Sequence, residues 1–182
     1  MLQKLLWRLD GFDICGALPT PSAFPNLRTL EVGSNVSSPR WIEGLGALQA
    51  LKHLWLCVGP DTAVQFPRLD SLTYLSLFVE EGASVHLTQL PALAQLSFEG
   101  PGSAALLPSS PAPQLWELVS DIERLSVHFC SLPGLRKLSL TNVATELDGA
   151  SSIAACTALE HVHLGGWWDD DIDGSYLELL HH

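Results

Sequence analysis

The sequence predicts an α/β solenoid: a stack of similar coils, each giving one strand to a parallel sheet and returning by irregular or short helical segments. Two observations carry this. A nine-residue phrase with apolar residues at its first, fourth, seventh and ninth positions recurs along the chain, and the copies are separated by stretches rich in Pro, Gly and Ser. Taking the third apolar residue as anchor, the copies lie 18 to 24 residues apart with a mean near 21, the regularity of a repeat protein.

In chain order the phrases are LWRLDGFDI (6–14), FPNLRTLEV (24–32), LQALKHLWL (48–56), LDSLTYLSL (69–77), LPALAQLSF (90–98), APQLWELVS (112–120), LPGLRKLSL (132–140) and CTALEHVHL (156–164). Their anchors are Phe12, Leu30, Leu54, Leu75, Leu96, Leu118, Leu138 and Val162. APQLWELVS is the weakest copy, because Ala112 and Ser120 replace large apolar residues. The last two apolar residues of a phrase are two apart, so on a strand both point to one side. The first lies on the bend before the strand and points the same way. One coil cannot bury such a face alone, whereas stacked copies bury a continuous core. Segments such as SNVSSP, VGPD, EGPGS and PSSPAP suit turns and irregular returns. WIEGLGALQAL (41–51) and ELDGASSIAAC (146–156) are candidate short helices. IERLSV (122–127) reads as a strand too, but Leu125 is only 13 residues from Leu138, so 122–130 is placed on the return path.

This pattern resembles the leucine-rich repeat family over roughly residues 6 to 165. The resemblance implies a horseshoe with the parallel sheet on its concave face and irregular or short helical convex segments. The family places Asn or Cys five residues after the anchor, and here only Asn35 does so. The chain is therefore more similar to irregular intracellular members, such as the repeats of F-box proteins or plant immune receptors. It is read as one domain over 1–182 with about eight repeats, closed by an acidic C-terminal cap at 166–182. The phrase begins close to Met1 without a polar cap before it, as in a fragment of a longer repeat chain.

Bulk composition narrows function. The 182 residues are 47% hydrophobic and 16% charged, too apolar for disorder. Nine Lys plus Arg against 20 Asp plus Glu give a net charge of −11, which argues against nucleic acid and anionic membranes as partners. No run approaches the roughly 20 apolar residues of a membrane span. Charged residues interrupt the first leucines, so no secretory signal is read. Four scattered cysteines fit free thiols in the cytoplasm.

If the sheet lines an open face, the residues one before, one after and three after each anchor point out of the core. Trp55, Tyr74 and Phe78 then fall on adjacent strands as an aromatic group beside His53, and Glu99, Glu117 and Asp121 fall on the next two strands. Aromatic residues with a charged rim are the composition of protein-binding hot spots. The alternative is that the rings only pack against one another. The expected function is binding of a protein partner without catalysis or cofactor, as in the recognition arms of ubiquitin ligases or intracellular receptors that the resemblance implies.

Other chemistry is weaker. GPGSAA (100–105) matches a dinucleotide-loop pattern, but LLPSSPAP follows where a long helix is needed, so it reads as a solenoid turn. No GxSxG, GxxxxGK[ST] or HExxH is present. Asn35-Val36-Ser37 fits a glycosylation sequon but occupies a repeat position. His161 and His163, two apart on an expected strand, could hold zinc with Asp169, His181 or His182. Asp169, Asp171, Asp173 and Gly174 open like an EF-hand loop, but its twelfth position is Leu180 where a bidentate Glu is required. A metal-dependent protein built on this cluster is the alternative function, and a structural fragment of a larger receptor is another.

Overall fold

The computed structural model describes residues 2–7, 20–87, 89–106, 112–127, 129, 132–141, 153 and 156–165. It is a parallel β-solenoid of about six turns. The strands are β1 (Lys4–Trp7), β2 (Thr29–Val36), β3 (His53–Val58), β4 (Ala63–Gln65), β5 (Tyr74–Val79), β6 (Ser84–Leu87), β7 (Gln95–Leu106), β8 (Glu117–Val127), β9 (Lys137–Leu140) and β10 (His161–Leu164). All pairings are parallel, and the long ladder runs β1-β2-β3-β5-β7-β8-β9-β10.

Each coil starts with a turn. The N–H of Leu51 donates to the carbonyl of Leu48, and the same three-residue step links Leu27 to Phe24, Leu72 to Leu69, Leu93 to Leu90, Leu115 to Ala112, Leu135 to Leu132 and Leu159 to Cys156. Pro25, Pro91, Pro113 and Pro133 take the second position of four of these turns, where a fixed φ near −65° is already correct. The turn delivers the chain to the strand with its anchor inward. Leu30, Leu54, Leu75, Leu96, Leu118 and Leu138 are stacked as consecutive Cα partners and are at most 2% exposed. Ala112 and Ser120, the two irregular members of their phrase, occupy these core rows and are buried too.

The first rung differs from the sequence expectation. Leu5, not Phe12, is the partner of Leu30. Leu5 is half-buried between the exposed Lys4 and Leu6, and a turn and 3-10 helix at Pro21–Ala23 fill part of the return. Phe12 itself lies outside the described residues.

The returns are also less helical than expected. Among the described residues one α-helix is seen over its full span, α1 (Pro39–Gly44); a 3-10 turn at Leu45–Ala47 follows it, and together they cover the first half of the 41–51 candidate. Ser38 caps it, its hydroxyl accepting from the N–H of Trp41, with Pro39 in the first turn. The 146–156 candidate lies largely outside the described residues. In the middle coils the return is a second ladder: β4 pairs with β6, β6 with Ser103–Leu106 of β7, and that segment with Arg124–Val127 of β8. IERLSV is thus both on the return and a strand, because β8 runs continuously from the first ladder into the second. Val64, Val85, Ala104 and Leu125 point inward from this ladder and close the core.

The corner between ladders takes four residues from β3 to β4 and again from β5 to β6, whereas β7 and β8 pass through it unbroken. In β7 the GPGSAA stretch makes the bend, with a register shift against β8 between Gly100 and Ser103. Gly100 has φ +103°, and a Cβ there would stand 2.5 Å from the carbonyl oxygen of Val79. Only glycine fits that position.

Candidate interaction surface

The long ladder turns one face to the core and the other outward. Its register arranges the outward side chains in three rows across the strands. The first is Lys4, Thr29, His53, Tyr74, Gln95, Glu117, Lys137 and His161. The second is Leu6, Glu31, Trp55, Ser76, Ser97, Val119, Ser139 and His163. The third is Asn35, Cys57, Phe78, Glu99 and Asp121. All seven residues singled out from the sequence, His53, Trp55, Tyr74, Phe78, Glu99, Glu117 and Asp121, stand on this one face.

The aromatic side chains are half-buried, and His53 is exposed. The rings of His53 and Tyr74 lie 6.2 Å apart at 49°. Ser76 sits between Tyr74 and Phe78 on β5 and beside Trp55 on β3. Although it points outward it is only 4% exposed, and on a sheet surface only neighbouring side chains can shield it. The register thus sets the half-buried side chains of Tyr74, Phe78 and Trp55 around a small, buried residue.

The acidic half is not uniform. Glu117 is half-buried and accepts a 2.6 Å hydrogen bond from Nε2 of Gln95. Glu99 and Asp121 are exposed Cα partners in the third row, and neither has a cationic partner among the described residues. Nearby Lys137 is placed over the Trp116 ring, 5.3 Å from its centroid, and Lys4 pairs with Glu31 at 3.4 Å.

Counting by two from the anchor missed two members of the face. A register shift between Val32 and Asn35 puts Asn35, not Gly33, opposite Cys57. The Cys57 thiol donates to Oδ1 of Asn35 at 2.9 Å. Burial first, and the charge of Glu80 second, push this thiol up to about 11. Leu6, 53% exposed, is the other, and it extends the apolar end of the second row. With Leu5, Leu6 and Trp7 apolar in succession, no alternation in the sequence marks which of them faces outward.

At the far end, Glu117, Val119, Lys137, Ser139, Glu160, His161 and His163 line an open groove of about 380 Å³. His161 and His163 point outward together, as their spacing requires. Among the described residues no three His, Cys, Asp or Glu side chains come together as a metal site. Asp169, Asp171 and Asp173 lie outside the described residues. Among the described residues no helix is long and apolar enough to cross a membrane. No family model, curated protein or solved structure matches this chain.

Proposed function

We propose that this chain is a protein-binding module of the leucine-rich repeat type, which docks a partner on the outward face of its long ladder without catalysis. The observation that carries the reading is the grouping of Trp55, Tyr74 and Phe78 around Ser76, on adjacent strands of a face otherwise rich in small and charged residues. Half-buried rings lose little entropy on binding and still hold apolar area to bury. Truncating such an anchor typically costs about 2 kcal/mol or more of affinity.

In this reading the ladder lies on the concave side of a horseshoe, and the partner settles across the strands. The charged residues of the same face, His53, Glu99, Glu117 and Asp121, select which partner is accepted. The buried thiol of Cys57 suits a reducing compartment such as the cytoplasm. A recognition arm of a ubiquitin ligase or an intracellular receptor is the role that the resemblance of the repeats suggests.

The test compares proteins captured by the wild type with those captured by a Trp55→Ala/Tyr74→Ala/Phe78→Ala variant whose fold is checked by circular dichroism. The expected result is a set of proteins held by the first and lost by the second. Identical capture by both would show that the face is not the binding surface.

A further inference from the structure

The outward face has relief as well as composition. Ser76 and Ser97 in the second row are small, whereas Tyr74 and Gln95 on one side and Phe78 and Glu99 on the other are large. A shallow trough therefore runs across β5 and β7, perpendicular to the strands, open above Ser97 and closed over Ser76, which is only 4% exposed, so an occupant rests on the flanking rings there. Its flanking rows are four residues apart along each strand, about 13 Å between Cα atoms. That width takes one extended chain. Within the second row Trp55 bounds the trough on one side and Val119 on the other, three strand steps or roughly 14 Å apart.

The charges of the trough wall are the second observation. Glu99 and Asp121 face each other across one ladder step of about 4.8 Å, an arrangement that disfavours the folded sheet. No cation among the described residues neutralises them. Folding alone has no use for such a pair. A guanidinium does, because its planar fork of donors can reach both carboxylates at once, as the single point charge of a lysine cannot.

Resting on the proposed binding role of this face, we infer that its occupant is an extended, cationic peptide segment. It carries an aromatic or large aliphatic side chain and, four residues from it, an arginine. The anchor packs against Trp55, Tyr74 and Phe78, and the arginine bridges Glu99 and Asp121. The spacing follows from the geometry: with the two-residue offset between rows, Glu99 lies roughly 12 Å and Asp121 roughly 16 Å from Trp55, and an extended chain that covers about 13 Å in four residues brings its arginine between them. Residues four apart on such a chain also point to the same side, so both side chains can address the Phe78–Glu99–Asp121 wall. The net charge of −11 draws such a segment toward the molecule at long range.

The experiment pans a library of random twelve-residue peptides on the immobilised full chain, then measures synthesised hits against three folded proteins: wild type, Glu99→Lys/Asp121→Lys and Trp55→Ala/Tyr74→Ala/Phe78→Ala. The expected hits carry an apolar anchor and an arginine at the fourth following position. They lose at least tenfold in affinity on the charge-reversed protein, and a peptide with Glu in place of that arginine recovers binding there. Hits without a basic residue, bound equally by the charge-reversed protein but lost on the aromatic triple variant, overturn the cationic segment and leave the face as a binding surface. Hits indifferent to the triple variant overturn both. A panning that enriches nothing overturns the linear segment and leaves a folded partner for the face.

Discussion

Ser120 offers a sharp test of the packing logic. Its hydroxyl is the one buried side-chain polar atom without a hydrogen-bond partner among the described residues, and the residue is 0% exposed. It occupies the inward row otherwise filled by Val32, Leu56, Leu77, Phe98 and Leu140, directly between Phe98 and Leu140. An unsatisfied buried hydroxyl costs about 1–3 kcal/mol of desolvation. Ser120→Ala removes that cost and gives up only one atom of packing, so the expected gain is about 1 kcal/mol. In a chain of this size that is a rise in Tm of roughly 2–4 °C.

The small side chain also sits beside the much larger Phe98, which makes the two positions a volume pair. Phe98→Leu alone opens a cavity and should cost roughly 1–3 kcal/mol, and Ser120→Val alone overpacks against the Phe98 ring at a similar cost. The Phe98→Leu/Ser120→Val double variant should be more stable than the sum of the singles by at least about 1 kcal/mol, within the range found for residues in contact. Urea unfolding followed by circular dichroism reads this out, with an unchanged m-value as the condition for comparing midpoints. A loss of stability in Ser120→Ala, or strict additivity in the double variant, would refute the reasoning.

Gly100→Ala should destabilise by roughly 1–3 kcal/mol, the scale of a side chain forced into a disallowed backbone region, read from the same urea midpoints. The raised Cys57 thiol predicts an alkaline limb of stability: the folded state keeps a proton that the unfolded state has lost, so stability falls as pH rises from about 9 to about 11. Cys57→Ala should flatten that limb in thermal unfolding between those values, and native Cys57 should resist alkylation at pH 8. Micromolar zinc or millimolar calcium should leave Tm unchanged. A rise of several degrees that disappears in His163→Ala would favour the metal-dependent reading instead.

Most of the ladder was legible because three constraints coincide in each phrase. In LDSLTYLSL, Leu69 and Leu72 close the turn, while Leu75 and Leu77 point to the core, so any other register would expose leucines. The first coil lacked this coincidence. LLWRLDGF offers apolar residues in two overlapping registers, and the pairing of Leu5 with Leu30 selects the earlier one. The second ladder was hidden for another reason. AVQ, SVHL and SAAL are short alternating runs beside Gly and Pro, and what makes them strands is the neighbouring coil supplying backbone partners rather than local preference. For the outward face, counting by two from Leu54 and Leu75 reaches Trp55, Tyr74 and Phe78, whereas the bulge in β2 shifts the count and brings Asn35 rather than Gly33 opposite Cys57.

The separation between the two sides of the ladder has a consequence for how this molecule can change. Core rows such as Leu54, Leu75 and Leu96 are fixed by mutual burial, so each coil depends on its neighbours. The outward rows carry no such obligation: the backbone hydrogen bonds of the ladder are satisfied whatever side chain projects from it. Among the described residues no cation pairs with Glu99 or Asp121, and their like charges oppose folding slightly. A pair that is adverse for stability, on the face where we propose that a partner docks, is what the proposed recognition of a cationic segment accounts for and what folding alone does not.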